Sequence, residues 1–294
     1  MPFYDLLAQF TISGLSVGCA YALIALGFNA VFNATGIVNL TQCTFIMLGG
    51  MLGITFYSTF HLPLITSILL SVFLVTLLGG LIERGAIRTS KSQEVIILIF
   101  VTIGIFIFIE GTALLVWGPF ALPLPPFSGE SPFSIFGATI IPQNLWIYGI
   151  TLVVVIVLQF FFKRTIVGKA MRAVAINRKG ALLVGIDVDR MAMYSFALSG
   201  ALGAIAGAII APITTSSYDV GTILGLKGFA AAILGGYGSM IGAIIGGLIL
   251  GVLESLGAGL ISSTYKDVIA FVILIMVLFF KPTGILGREE IERV

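Results

Sequence analysis

The chain has 294 residues, 59% of them hydrophobic and only 10% charged, and 36 of them are glycine. Soluble domains are about 45–50% apolar and about 25% charged, so this chain has too little charge to cover a water-facing surface. The composition excludes a nucleic-acid binder, a disordered tail and a secreted disulfide scaffold, and it indicates an integral membrane protein.

The predicted elements are membrane helices, because the apolar residues form long runs rather than the roughly ten-residue alternation of barrel strands. The seventh and ninth runs are short for a crossing of about 20 residues. We therefore predict an all-α polytopic membrane protein with eight to nine membrane-embedded helices, some short or broken, in a single domain over residues 1–294. The runs lie at about 10–32, 43–60, 63–82, 95–116, 145–162, 191–212, 222–234, 240–257 and 268–280.

Thirteen of the 15 basic residues lie in the stretches 83–94 and 163–190 and in the tail, whereas 117–144 has none. Positive charge collects on the cytoplasmic side, which predicts that 117–144, and by counting crossings the N-terminus, are outside and the C-terminus inside. No basic residue precedes the first run, so we expect it to be retained as a helix and not cleaved as a signal peptide. The 13 residues are Arg84, Arg88, Lys91, Lys163, Arg164, Lys169, Arg172, Arg178, Lys179, Arg190, Lys281, Arg288 and Arg293.

Neutral polar side chains gather between the first two runs, where the segment from Asn29 to Thr44 contains no charge. Amides and hydroxyls at this depth can bind a solute without the desolvation cost of an ion. The alternative is that they cap helix ends and bond across helices. The candidates for lining a passage are Asn39, Thr41, Gln42 and Thr44.

Glu254 lies in an apolar run with no basic neighbour in sequence. A charge at the bilayer centre costs roughly 2.5–3.5 kcal/mol on insertion scales, so this carboxylate pairs with another group, lies near an interface or takes part in a transport path. Lys227 and Asp219 are expected to be solvated near the external face, the alternative being contact with an external protein or with a solute. The run Gly235–Ser239 predicts either a broken helix beside a path or a tight turn.

Glycines recur four residues apart within several runs, as at Gly14 and Gly18 and at Gly247 and Gly251. Small residues let helix backbones approach closely in lipid, so this spacing predicts close helix packing. A sharper interpretation is that residues 200–251 form a tightly packed, moving core around a pathway.

No metal site is expected, because His61 is the only histidine and no acidic cluster lies near it. Nothing in the sequence places a histidine base near Ser239, which argues against a hydrolase. Cys19 and Cys43 are expected to behave as small hydrophobes.

Residues 163–190 form the one large hydrophilic feature and hold seven basic residues. Two short apolar stretches at 170–176 and 181–186, separated by Asn177–Gly180, predict a pair of short amphipathic helices. The pattern leaves open whether they lie against the membrane surface or against a partner protein.

Four segments of the chain resemble one family. GKAMRAVAINRKGALLVGI, residues 168–186, looks like the loop by which permease subunits of ATP-binding-cassette (ABC) importers engage their ATPase. The LivH-type branched-chain amino acid permeases are similar to this chain in three further segments. One lies near the start, GLSVGCAYALIALGFNAVFNATGIVNL, and two lie near the end, GFAAAILGGYGSMIGAIIGGLILGVLESL and KPTGILG. The family usually has N-F-A-(H/Q)-G after the first helix, and this chain has NLTQC at 39–43.

The resemblance implies a permease in the inner membrane of a bacterium, paired with a second related permease, two ABC ATPase subunits and an external solute-binding protein. ATP and Mg would bind the ATPase subunits and no cofactor this chain, which has no GxxxxGK[ST] phosphate loop and is not expected to be an enzyme. The implied residues for ATPase coupling are Gly168, Ala170, Arg172, Ala173, Ala175, Asn177, Ala181, Leu183, Gly185 and Ile186.

The implied function is import of a small polar solute, most naturally an amino acid, by alternating access driven by the partner ATPase. The alternatives are an ABC permease for urea, short amides or small carboxylates, and a secondary transporter or channel for a neutral solute. A proton-coupled carrier needs ionisable groups within the membrane, and this chain has few.

Overall fold

The computed structural model describes residues 3–90, 92, 94–129, 131–135, 138–281 and 283–287. Lys91, Arg288 and Arg293, which entered the charge argument, lie outside the described residues. The helices are α1 (Phe3–Thr35), α2 (Gln42–Ser58), α3 (Leu64–Ile82), α4 (Val95–Trp117), α5 (Pro142–Arg164), α6 (Ile166–Ile176), α7 (Arg178–Leu183), α8 (Val188–Thr214), α9 (Val220–Gly235), α10 (Met240–Leu260) and α11 (Lys266–Phe280), and the strands are β1 (Phe133–Ile135) and β2 (Ala138–Ile140).

Each of the nine predicted apolar runs is a helix, which confirms the all-α polytopic fold. Within the described residues, seven helices are long and apolar enough to cross a membrane. The seventh run, α9, is short as predicted, with 16 residues. The ninth run is longer than predicted, because a 3-10 turn at Ser263–Tyr265 precedes α11 and extends the span to 18 residues. The second run forms a helix of only 17 residues.

Helix α1 is the centre of the bundle and contacts α10, α8 and α9 most extensively. Its glycines permit this packing: a Cβ added at Gly251 of α10 would overlap the backbone of Gly18, and one added at Gly247 would overlap Ala22. The predicted close helix packing is therefore confirmed at these positions. In α1, 83% of the most apolar window is buried, compared with 11% in α4, so α4 presents most of its surface outwards.

The basic stretches meet at one end of the bundle, which we call the basic end. Arg88 follows a π-helical turn at Glu83–Ile87 and pairs with Asp189 of α8 at 3.2 Å, joining the end of α3 to the start of α8. At the opposite end, Leu122 pairs with Ser216 through backbone bonds. The β1–β2 hairpin at that end was not predicted, and Gln9 of α1 bonds to its Thr139 in both directions.

The Gly235–Ser239 run forms a tight turn between α9 and α10. Gly236 and Gly238 have φ values of 106° and 87°, a left-handed conformation that favours glycine. The side-chain amide of Asn29 accepts from the N–H of Gly238 at 3.1 Å and donates to the carbonyl of Ser239 at 2.9 Å. Asn33 donates to the carbonyl of Gly238 at 2.9 Å. These two asparagines therefore bond across helices.

The C-terminal segment covers the other side of the same turn. The backbone N–H groups of Ile285 and Leu286 donate to the carbonyls of Leu234 and Gly235, each at 2.9 Å. The last carbonyls of a helix have no partner within the helix, and here the tail supplies one. First helix and tail thus hold the α9–α10 turn from two sides.

Candidate functional site

The polar candidates of the first loop are buried inside the bundle. Asn39, Thr41 and Gln42 have no exposed surface and Thr44 is 2% exposed. Asn39 Oδ1 accepts from the backbone N–H of Thr41 at 3.1 Å and from its hydroxyl, and the Thr44 hydroxyl donates to the carbonyl of Thr41 at 2.8 Å. These bonds build the first turn of α2.

Gln42 reaches from α2 into the contact between α1 and α8. Its Oε1 accepts a hydrogen bond from the hydroxyl of Ser199, and a Cβ at Gly27 would overlap its amide. A Cβ at Gly203 would lie 3.0 Å from Gln42 Nε2. Two glycines on facing helices thus leave the space that this side chain fills.

Two buried amide donors in this cluster have no hydrogen-bond partner among the described residues, Asn39 Nδ2 and Gln42 Nε2. Buried polar groups are nearly always paired, and leaving one unpaired costs about 1–3 kcal/mol. The cluster therefore keeps free donor capacity at the junction of α1, α2 and α8.

A second polar cluster surrounds Glu254, whose side chain is 1% exposed. Its Oε1 lies 2.8 Å from Lys227 Nζ and 3.4 Å from Lys266 Nζ, and its Oε2 accepts from the hydroxyl of Tyr21 at 2.9 Å. Lys227 Nζ also lies 2.6 Å from Asp267 Oδ1. We call these residues, Tyr21, Lys227, Glu254, Lys266 and Asp267, the ionic cluster. It joins α1, α9, α10 and α11.

The ionic cluster corrects the expectation that Lys227 is solvated, because its side chain is only 4% exposed. A usable signal is present in the sequence: Lys227 and Glu254 are unlike charges isolated in two apolar runs that a tight turn connects. Ionisable residues within membrane segments usually pair with one another. For Glu254, pairing is the expected alternative that the structure shows.

The loop at the basic end forms the predicted pair of short helices. Thr165 caps α6 by accepting from the N–H of Gly168 at 3.0 Å, and Asn177 caps α7 by accepting from the N–H of Gly180 at 2.9 Å. The predicted separator Asn177–Gly180 is too long, because α7 begins at Arg178 and only Asn177 lies between the two helices. A Cβ at Gly168 would overlap the carbonyl oxygen of Phe161, so this glycine lets α6 fold back on α5.

The predicted coupling residues divide between the bundle and the surface. Gly168 and Ala181 are buried, whereas Arg172, Asn177 and Gly185 are exposed. Of the other coupling residues, Ala175 is also exposed, and Ala170, Ala173 and Ile186 are half-buried.

Large apolar side chains also point away from the bundle in this loop. Leu183 is 89% exposed, and Ile176 and Val184 are similarly open. Apolar patches of this kind on a solvated loop mark interaction sites.

The predicted site residues therefore fall into three groups with separate contacts. The polar candidates meet at Gln42, Glu254 belongs to the ionic cluster, and the coupling residues lie at the basic end. Within the described residues, no group of three or more His, Cys, Asp or Glu side chains could hold a metal ion. The arrangement offers buried hydrogen-bond donors, a charge-balanced network and an exposed apolar surface on the loop of α6 and α7.

Comparison with known proteins gives a consistent match. A family model described as the permease component of a branched-chain amino acid transport system matches residues 10–278. The chain is 35% identical over 303 residues to the high-affinity branched-chain amino acid transport system permease protein LivH of Salmonella typhimurium, covering 97% of both chains. It is likewise 35% identical over 301 residues to the permease protein BraD of Pseudomonas aeruginosa, with 97% coverage of both.

One solved structure shares the fold. It contains PsaBC from Streptococcus pneumoniae in complex with Fab, and it matches with a TM-score of 0.52 over 94% of this chain and 93% of that chain. Sequence identity is only 14%, so this likeness concerns the fold alone.

Proposed function

Because the chain belongs to the family of permease components of branched-chain amino acid transport systems, we propose that it is the membrane-spanning subunit of an ATP-driven importer for an amino acid. The solute would cross by alternating access, and a branched-chain amino acid is the first candidate. ATP and Mg would bind the partner ATPase, so this chain would not itself be an enzyme.

The observation that carries this proposal is the exposed surface of α6 and α7 at the basic end. Leu183 and Ile176 are apolar and open, and Arg172 lies exposed on α6 beside them in sequence. Apolar anchors with a charged rim are typical of protein–protein interfaces. We assign this surface to the ATPase, because α7 leads directly into α8 and a push there would be carried into the bundle.

The proposed complex holds a second, related permease, two ABC ATPase subunits and an extracytoplasmic solute-binding protein. It would lie in the inner membrane of a bacterium, with the basic end in the cytoplasm, the N-terminus outside and the C-terminus inside. The hairpin end would then face the binding protein.

The ionic cluster favours this proposal over a proton-coupled carrier. Glu254 is the carboxylate within an apolar run that the sequence offers to such a carrier, and it already has Lys227 and Tyr21 as close partners. An ammonium and a hydroxyl that contact a carboxylate favour its ionised form, so Glu254 and Lys227 form a permanent ion pair rather than a site that takes up and releases a proton. The driving energy is therefore assigned to ATP on a partner.

Uptake by proteoliposomes tests the proposal. The complex, purified with its co-purifying subunits, is reconstituted with ATP inside and with leucine, urea or acetate plus the binding protein outside. We expect leucine uptake that stops when ATP is replaced by a non-hydrolysable analogue. Uptake that continues unchanged under that block would reject the importer, and uptake of urea or acetate alone would reject the amino acid.

A further inference from the structure

A cavity of about 290 Å³ lies beside the ionic cluster, between α1, α10 and the start of α11. It is at the end of the bundle opposite the basic loops. Gly259 and Ser263 at its border are exposed, so the cavity opens to the surface. Ligand pockets have volumes of about 300–1,000 Å³, and this cavity is near the lower limit. Its size suits a molecule no larger than an amino acid.

The lining of the cavity has an apolar part and a charged part. Phe10, Val17 and Ala258 form what we call the apolar wall. The charged part of the lining consists of Glu254 and Lys266, which bring a carboxylate and an ammonium to the same cavity. A ligand that fills it must present an apolar portion together with charges of both signs.

Three serines, Ser13, Ser255 and Ser263, also line the cavity. Several serines elsewhere in the bundle donate to a carbonyl three or four residues earlier, as Ser58 does to Ile54 at 2.8 Å and Ser195 to Ala192 at 2.7 Å. The three cavity serines make no side-chain hydrogen bond among the described residues. Their hydroxyls are therefore free to bond a molecule in the cavity.

The two charged groups can both accept a ligand. The Lys266 side chain is 43% exposed and its contact with Glu254 is 3.4 Å, longer than an ammonium–carboxylate hydrogen bond of about 2.8 Å. Lys227 and Tyr21 remain on Glu254 when Lys266 turns away. The Glu254 side chain is only 1% exposed while Lys266 covers it, so a ligand N–H reaches this carboxylate only after Lys266 has turned away. The carboxylate, which has about four acceptor positions, then has one free for that donor.

We propose that this cavity binds an apolar α-amino acid as its zwitterion. The ligand carboxylate contacts Lys266, the ammonium contacts Glu254 and the serine hydroxyls, and the side chain packs on the apolar wall. The proposal rests on the function proposed above and deepens it, because it gives the amino acid a first binding site on the external end of this chain.

Leucine binding to the full chain in lipid nanodiscs, with its co-purifying subunits, tests the site by titration calorimetry. The variants are Ala258→Leu, which fills the cavity, and Lys266→Gln, which removes the carboxylate partner. The controls are Gly104→Leu, at a position where an added Cβ meets nothing within 4 Å, and Lys281→Gln, directly after the other end of α11. We expect both test variants to weaken leucine binding about tenfold or more. Ala258→Leu takes up the space of the ligand, and Lys266→Gln removes a hydrogen bond to a charged group. Both controls should bind leucine as wild type does.

Leucinamide, which lacks the carboxylate, separates a contact with Lys266 from a change of structure. Lys266→Gln should leave its affinity for leucinamide within about twofold while its affinity for leucine falls, since only leucine offers a carboxylate to the ammonium. Lys266→Arg should recover most of the leucine affinity. Equal losses for both ligands would overturn the assignment of Lys266.

The site and the transport function fail in different ways. Wild type that does not bind leucine, or test variants that bind it as wild type does, would overturn the cavity proposal even if ATP-driven uptake persists. Leucine binding that both test variants abolish, in a complex that shows no ATP-driven uptake, would support the cavity and reject the importer.

Discussion

At the scale of single residues, Lys227 is a buried charge held by two partners. Its ammonium lies between two carboxylates, Glu254 at 2.8 Å and Asp267 at 2.6 Å, and it is almost fully buried. A buried ion pair adds little net stability over an apolar pair, but removing one partner strands the other in a medium of low dielectric constant. The stability of the fold therefore depends on keeping Lys227 together with its carboxylate partners.

Lys227→Met should destabilise the fold by about 3–5 kcal/mol, because Glu254 keeps its charge but loses its closest cation. The measurement is the apparent melting temperature of the purified protein in detergent. Adding Glu254→Gln to Lys227→Met should recover most of the loss. Lys266→Met is the matched control, and because that lysine is half-exposed we expect a much smaller shift. A Lys227→Met protein that melts with wild type would contradict the ionic cluster.

The sequence identifies some of these residues and misses others for one physical reason. Glu254 and Gln42 stand out because a polar group in an apolar run is costly wherever it lies. Lys227 stands out for the same reason, but its pairing with Glu254, 27 positions away, does not follow from sequence distance. Ser199 does not stand out, and it lies 157 positions from Gln42. Only the packing of the helices brings these groups together.

At the scale of elements, helices α6 and α7 follow from the sequence because local interactions set them. Their N-caps, Thr165 and Asn177, each accept a backbone N–H three residues later. Capping depends on neighbours in the chain, so it carries a local signal, but the predicted stretches at 170–176 and 181–186 begin four and three residues later than α6 and α7 do. What sequence cannot give is which of their side chains face outwards.

Substitution of Leu183 tests the assignment of this surface to the ATPase. Leu183→Asp, and independently Arg172→Glu, should lower co-purification of the ATPase about tenfold, because one places a charge in an apolar interface and the other reverses a rim charge. Amounts of permease in the membrane should not change. Ile166→Asp is the control, since Ile166 is as exposed but lies at the start of α6. Full ATPase recovery with both variants would remove this surface from the interface.

The contact between α2 and α8 gives a second prediction at this scale. A Cβ at Gly207 would overlap the carbonyl oxygen of Ile46, which is backbone and cannot move alone. We expect Gly207→Ala to push the helices apart and cost roughly 1–3 kcal/mol, visible as a lower melting temperature. Gly104→Ala, where open space surrounds the position, should melt at or slightly above the wild-type temperature. Identical melting of the two variants would contradict the close contact.

At the scale of the whole molecule, cysteine labelling can test the predicted orientation, because the protein's own cysteines should react little. Cys19 and Cys43 are both buried. A membrane-impermeant maleimide added to whole cells should therefore label Ser131→Cys in the loop before β1. It should label Lys179→Cys of α7 only after the membrane is opened. Labelling of Lys179→Cys in intact cells would reverse the orientation.

Hydropathy predicts the number and order of the helices but not their place in the bundle. Helices α1 and α4 both pass as spans, with hydropathies of 1.8 and 2.6, yet 83% of one window and 11% of the other are buried. Lipid tails are as apolar as a protein core, so apolar periodicity cannot separate the two environments. The glycines do separate them, because a Cβ at Gly14 or Gly18 of α1 would meet α10 backbone, whereas a Cβ at Gly104 or Gly111 of α4 would meet nothing within 4 Å.

The α9–α10 turn has a consequence for how the chain is made. Asn29 contacts residues 209 and 210 positions later in the chain. At roughly 5–20 residues per second, a ribosome needs roughly 10–40 s to produce that partner. During this interval α1 sits in the membrane with its two asparagines and its glycine surface uncovered. We therefore expect the newly synthesised first helix to stay beside the insertion machinery until the last three helices have been inserted.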